Sequence, residues 1–197
     1  MSGFANKTVP PEVLARGRQG DMSAHAEIFR VFSRPVYSLA ARMTGSTAAA
    51  DDVLQETFLE VIRSLGQFRA EASLATWIRR IAVSKSLMHL RSAWQRRATL
   101  FRDLGEAEAV AAEPATSDEA RALQLNMDLE RALARLPDVS RVVVLLYDVE
   151  GYSHAEIARL MGMSLSFSKS QLSRAHARLR DMLGADALAG DRDERAG

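Results

Sequence analysis

Cysteine is absent from the 197 residues, which removes thiolate metal sites, thiol nucleophiles and disulfide frameworks and agrees with a reducing compartment. Long apolar runs are absent too. The longest, 142–147, has six residues against about 20 for a membrane-spanning helix, so no membrane insertion is expected. No basic stretch followed by an apolar one precedes Arg16, so a secretory signal is not expected either. Glycine (11) and proline (5) are too sparse for a collagen-like or low-complexity chain, and 47% apolar with 26% charged residues is the composition of a folded protein. Convincing period-two alternation is missing, which argues against sheet and leaves an all-α chain, one large domain or two small ones. Lysine is scarce, with 3 residues against 23 arginines. Arginine suits phosphates and base edges, and an Arg- and Ala-rich composition is also what a GC-rich genome produces. A soluble cytoplasmic protein is the expectation.

A formal charge of +1 hides an asymmetry. Residues 1–97 carry 14 Lys/Arg against 8 Asp/Glu, whereas 98–122 carry 2 against 6. Residues 123–184 are balanced at 8 against 7, and 185–197 carry 2 against 4. A basic first half is thus joined by an acidic strip to a nearly neutral second half.

Helical periodicity organises both halves. A short helix is expected at 12–19, ended by Gly20. Ser23 is positioned to cap a second, in which Ile28, Phe29, Phe32, Val36, Leu39 and Met43 recur at three- and four-residue steps and Pro35 predicts a kink or break. A third helix follows Gly45 with the stripe Leu54, Phe58, Val61, Ile62 and Leu65, and Ser73 can cap a fourth over 74–97. Composition then shifts. Residues 98–122 read as an extended linker with a marginal helix at 104–112. The stripe Leu125, Leu129, Ala132, Leu133 and Leu136 reopens helix up to Pro137. The β-branched 139–147 is read as helix because a lone strand would have no partner. Helices at 154–161 and from about 165 to 183 complete the block, and 185–197 is expected to be a disordered tail. The domains expected are 1–97 and 123–184.

Three elements carry chemistry. From 77 to 97 the fourth helix has six cations, Arg79, Arg80, Lys85, Arg91, Arg96 and Arg97, and no acid. A solvated face normally mixes signs, so an acid-free run implies a polyanion nearby. Trp77 and Trp94 interleave with the cations and can stack on unpaired bases. Trp77 also falls in register with Leu74, Ile78 and Ile81, which fits core packing equally, and Trp94 is expected to be exposed. On the third helix, Asp52, Gln55, Glu56 and Leu59 fall at i, i+3, i+4 and i+7, with Asp51 beside them. That face is either solvated, with a dipole benefit at its N-terminus, or a docking surface for a basic helix. The third element is 154–183, with helix-turn-helix grammar. Ala155, Ile157, Ala158 and Leu160 can pack inward, Gly162 suits the turn, and Ser164 or Ser166 can cap the second helix. That helix packs through Leu172, Ala175, Leu179 and Met182. Ser166, Lys169, Ser170, Gln171, Ser173, Arg174 and Arg178 lie mostly outside the stripe, and no acid precedes Asp181. Such side chains read major-groove edges and phosphates. Catalysis has no comparable support. His25, His89, His154 and His176 lack metal-ligand spacing, and no phosphate-binding glycine loop or nucleophile elbow is present. No catalytic residue, metal or cofactor is expected.

Taken in order, the strings DDVLQETFL at 51–59, ATWIRRIA at 75–82, and Leu136-Pro137, Arg141, Glu150-Gly151, EIA at 156–158 and Lys169-Ser170 resemble bacterial RNA polymerase sigma factors of the small, extracytoplasmic-function type. The resemblance covers about 20–97 and 123–183. It implies a region-two-like helical domain and a region-four-like helix-turn-helix domain in a non-catalytic subunit that directs promoter-specific initiation. It further implies docking on the core polymerase clamp helices of β′ through Asp51, Asp52, Gln55, Glu56 and Leu59, and contact with the β flap. The −10 element would meet Trp77, Arg79, Arg80, Ser84, Lys85, Met88, Arg91, Arg96 and Arg97. The −35 major groove would meet Ser166, Lys169, Ser170, Gln171, Ser173, Arg174 and Arg178. The acidic linker would thread the RNA exit path, and an anti-sigma factor would be a further partner.

The chain also departs from that family. Ser84 and Met88 stand where Asn and Asp are common, and a hydroxyl and a thioether do not reproduce an amide and a carboxylate. The usual Gly-Thr-Val opening of the recognition helix is Ser166-Phe167-Ser168, and a common Arg is Gln171. Phe167 cannot donate to a phosphate, and Ser168 weakens a core position. Two other functions fit parts of the pattern: a helix-turn-helix regulator acting without polymerase, and a sigma-like decoy that sequesters an anti-sigma protein.

Overall fold

In the computed structural model, backbone is described for residues 3–104 and 122–193 and side chains for 3–95 and 128–184. Among these residues every regular element is helical. The chain divides into two units, with the boundary between 107 and 108. Of the expected linker 98–122, residues 98–104 instead continue the helix begun at Leu74 and Ala122 opens the next one; residues 105–121, and with them all but the first residue of the marginal helix expected at 104–112, lie outside the described residues.

The first unit is built from α1 (Pro11–Arg18), α2 (Met22–Thr44), α3 (Thr47–Ser64), a 3₁₀ turn (Leu65–Gln67) and α4 (Leu74–Leu104). Asp21, not Ser23, caps α2, accepting from the amides of Ser23 at 2.8 Å and Ala24 at 3.4 Å. Either side chain suits a cap. The carboxylate two residues earlier wins because it also pairs with Arg16 at 3.3 Å. Pro35 neither breaks nor ends α2. Its missing N–H is a cost of about 3 kcal/mol, offset by the buried stripe Ile28, Phe32, Val36, Leu39 and Met43 that the continuous helix presents. Phe29 departs from the expected stripe: it is 45% exposed, with its ring edge-on to Phe58 at 4.7 Å. Gly45 ends α2 in the left-handed conformation at φ 68°, and Ser46 caps α3 through the Ala49 amide. The buried side of α3 is Ala49, Ala50, Val53, Thr57, Phe58 and Val61, so Ile62 is turned outward instead of belonging to the core. Two N-terminal features close this unit. Phe4 stacks on Phe32 at 6.5 Å, and Arg18 donates to the Phe68 carbonyl. A side chain at Gly17 would collide with Leu65, whose Cδ2 lies 3.0 Å from an ideal Cβ there.

The second unit comprises α5 (Ala122–Ala134), α6 (Asp138–Val144), a π turn (Leu145–Val149), α7 (His154–Met161) and α8 (Leu165–Asp193). The β-branched stretch is helical because Val142, Val143, Val144, Leu145 and Leu146 are all buried, leaving no polar face to satisfy. Arg141 is buried beneath it. Its guanidinium donates to the carbonyls of Leu136 (3.3 Å) and Ala134 (3.5 Å) and pairs with Asp138 at 2.8 Å. Leu129, expected inside, is 39% exposed, and Leu125 lies outside the described side chains. Helix α8 continues to Asp193, beyond the expected onset of a tail at 185, and 194–197 lie outside the described residues. Alanine and leucine in that segment are strong helix formers, so extension is favoured locally.

Candidate nucleic-acid and protein interfaces

In the first unit, burial of one side of α3 exposes the other. Asp51, Asp52, Gln55, Glu56 and Leu59 are all exposed, Leu59 by 50%. Ile62, at 43%, continues the series by one three-residue step. Extending the 52, 55, 59 spacing by three would have found it. Asp51, Asp52 and Glu56 form no ion pair among the described residues, so their charge is uncompensated within the fold. The result is an acidic strip ending in two bare aliphatic side chains, a pattern complementary to a basic amphipathic helix.

Ser73 caps α4 by accepting from the Thr76 amide at 3.1 Å. Leu74, Ala75, Ile78, Ala82, Val83, Ser86, Leu87 and Leu90 are buried at helical spacing, and the Ser86 hydroxyl is satisfied by the Ala82 carbonyl at 2.8 Å. That packing leaves Arg80, Ser84, Met88 (54% exposed) and Arg91 on a single outward face. The other predicted residues are placed differently. Trp77 is half-buried with its ring 5.1 Å from that of Phe68, and Trp94 is half-buried, not exposed. Arg79 is half-buried, and Lys85 pairs with Glu60 of α3 at 3.7 Å. The side chains of Arg96 and Arg97 lie outside the described residues.

In the second unit a capping box opens α7: Ser153 accepts from the Glu156 amide while the Glu156 carboxylate accepts from the Ser153 amide. Ile157 is its one fully buried side chain; Ala155 is exposed and Ala158 and Leu160 are half-buried, because an eight-residue helix contributes only its inner edge to the core. Gly162 turns the chain at φ 66°, and Ser164, not Ser166, caps α8 through the Phe167 amide at 3.1 Å. The core side of α8 is Ser168, Leu172, Ala175 and Leu179. Ser168 sits there without an orphaned hydroxyl, since His154 Nδ1 lies 3.0 Å from it. Tyr147 stacks on His154, and Asp148 meets His176 Nε2 at 2.7 Å, so the π turn is tied to α7 and α8 by two imidazoles that sequence spacing alone had left idle.

Ser166, Lys169, Ser173, Arg174 and Arg178 are exposed on α8. Gln171 is not with them: half-buried, its Oε1 accepts from the Ser140 hydroxyl at 2.9 Å, tying α8 to α6. Ser170 is also half-buried and accepts from Arg174 Nη2 at 3.1 Å. The exposed face therefore combines small hydroxyls with flanking cations, a combination able to meet base edges and phosphates together. Among the described residues no cluster of three or more His, Asp or Glu side chains is arranged to hold a metal ion, and no helix is long and apolar enough to cross a membrane.

The two units that carry these three surfaces coincide with two matches. Residues 28–96 match the Sigma-70 region 2 family, and residues 126–179 match Sigma-70, region 4. The chain is 36% identical over 173 residues to the ECF RNA polymerase sigma factor SigM of Mycobacterium tuberculosis, covering 88% of this chain and 84% of that one. To the RNA polymerase sigma factor CarQ of Myxococcus xanthus it is 33% identical over 172 residues, covering 87% and 95%. In fold it is similar to the sigma factor RpoE of Bartonella quintana, solved in complex with the anti-sigma factor NepR, at a TM-score of 0.55 and 21% identity over 82% of this chain and 97% of that one.

Proposed function

This chain belongs to the extracytoplasmic-function RNA polymerase sigma factors, and from that premise we propose which of its surfaces perform promoter-specific initiation. A sigma factor is not an enzyme; it binds core polymerase and promoter DNA. The acidic strip Asp51, Asp52, Gln55, Glu56 and Leu59, extended by Ile62, docks on the clamp helices of β′. The outward face of α4, centred on Arg80, Ser84, Met88 and Arg91, meets the −10 element, with Arg79 and Lys85 at its edge. Ser166, Lys169, Ser173, Arg174 and Arg178 of α8 meet the −35 element, while Gln171 and Ser170 position α8 and Arg174 from within the protein. Residues 1–97 and 123–184 are the two working domains. Each binds weakly by itself, and tethering raises the effective concentration of the second contact. The cytoplasm, where polymerase and DNA are, is its place of action, and an anti-sigma factor is its antagonist.

The observation that carries this reading is the opposition on one small fold of an unpaired acidic face on α3 to an acid-free, cation-bearing face on α4. A protein that only bound DNA would gain nothing from the former. Run-off transcription with core enzyme tests it. The full chain directs transcripts from promoters of its own genome, and Asp52→Lys with Glu56→Lys lowers core affinity at least tenfold without changing the fold, because both side chains are exposed. Absence of a complex with core enzyme, or a double variant that binds it undiminished, refutes the reading.

A further inference from the structure

Phe167 is an aromatic ring on a helix face that is otherwise polar and cationic. It is 42% exposed, and the bond from its amide to Ser164 Oγ makes it the third residue of α8. In helix-turn-helix proteins the N-terminal residues of the second helix are those that reach base edges. Around the helix, Phe167 shares a flank with Ser170 and Arg174, three and seven positions on. The three are linked: Ser170 Oγ donates to the Phe167 carbonyl at 2.9 Å, and Arg174 Nη2 donates to Ser170 Oγ. A cation is thus held one helical turn beyond the ring. Leu165, the other exposed apolar side chain of this turn at 45%, is two residues away and so about 200° around the helix. The two do not merge into an apolar patch of the kind a protein partner covers.

A benzyl group has no donor or acceptor to offer a phosphate or a base edge. The base-pair edges of the major groove present one apolar group, the C5-methyl of thymine. We propose that Phe167 is a specificity-determining residue that selects a thymine in the −35 element through that methyl. This rests on the reading of α8 as the helix that enters the −35 groove.

The test uses holoenzyme assembled from the full chain and core polymerase to select promoter duplexes randomised over the −35 element. Each thymine in the selected site is then replaced by deoxyuridine, which deletes the methyl alone. At one position the replacement weakens binding about fourfold, the worth of burying one methyl-sized group. Phe167→Ala abolishes the thymine-over-uracil difference at that position, and Phe167→Leu keeps part of it. The deoxyuridine arm needs no variant to fold. Uracil tolerated everywhere by the parent chain, or a preference that persists in Phe167→Ala, overturns the assignment and leaves α8 as the −35 reader. A selection that returns no upstream preference at all overturns both.

Discussion

Replacing Arg141 by alanine should destabilise the second unit and leave the first untouched. The side chain is 6% exposed, and its polar contacts include two to the last carbonyls of α5 and its turn and one to Asp138, itself 22% exposed. Removing one partner of a fully buried pair costs ~3–5 kcal/mol, because the remaining groups lose water without gaining a bond. The two carbonyl contacts are long, at 3.3 and 3.5 Å, and Asp138 can recover some hydration, so the loss falls just below that range, at about 2–3 kcal/mol. With an m-value of about 1 kcal/mol/M for so small a unit in urea, the midpoint falls by roughly 2–3 M. The chain supplies its own control. Both tryptophans, Trp77 and Trp94, lie in the first unit, so tryptophan fluorescence reports that unit, while far-UV circular dichroism reports both. In Arg141→Ala the fluorescence transition stays where it was, and part of the dichroic transition moves to low urea. Arg141→Lys recovers little, since a single ammonium cannot span carboxylate and carbonyls as a guanidinium fork does. A fluorescence midpoint that shifts equally, or a dichroic change worth under about 0.5 kcal/mol, refutes the argument.

Gly162→Ala places a Cβ in open space but at φ 66°, so only the left-handed backbone penalty operates, and thermal melting should fall by the equivalent of ~1–2 kcal/mol; Gly162→Asn should lose less, and equal losses would refute a conformational cause. The Asp21 carboxyl is held below its ordinary value chiefly by hydrogen bonds from the Ser23 hydroxyl and amide. A lowered folded-state value stabilises the protein above the unfolded-state value, and that contribution is lost as pH falls through the folded-state value. Asp21→Asn should therefore be less stable than the parent at neutral pH, with the difference narrowing as pH falls below the ordinary carboxylate range; a gap that widens in acid contradicts the assignment.

How much of the site was legible beforehand varies with the kind of residue. The cap Ser73, a cap at Ser164 or Ser166 of which the structure uses Ser164, the turn at Gly162, and the outward series 52, 55, 56, 59 on α3 follow from helix geometry and local hydrogen bonding. Phe29, Ile62 and Trp94 were misplaced for a common reason. Each sits at the edge of an apolar stripe, where roughly 40° of rotation decides between core and solvent, and hydrophobicity alone cannot choose. Lys85 and Gln171 have intramolecular partners that no local rule foresees. Both have the chemistry to meet DNA, but Glu60 and Ser140, 25 and 31 residues away in sequence, engage them first.

What the amino-acid order settled without help was the all-helical class, the placement of most helices, and the division of charge between α3 and α4, because these depend on interactions spanning at most a turn or two. Tertiary packing alone decided which flank of each helix faces water. A helix's periodicity sets angles between its own side chains, whereas the buried direction is chosen by where neighbouring helices lie. That choice turned Phe29 and Ile62 into solvent and drew Gln171 inward.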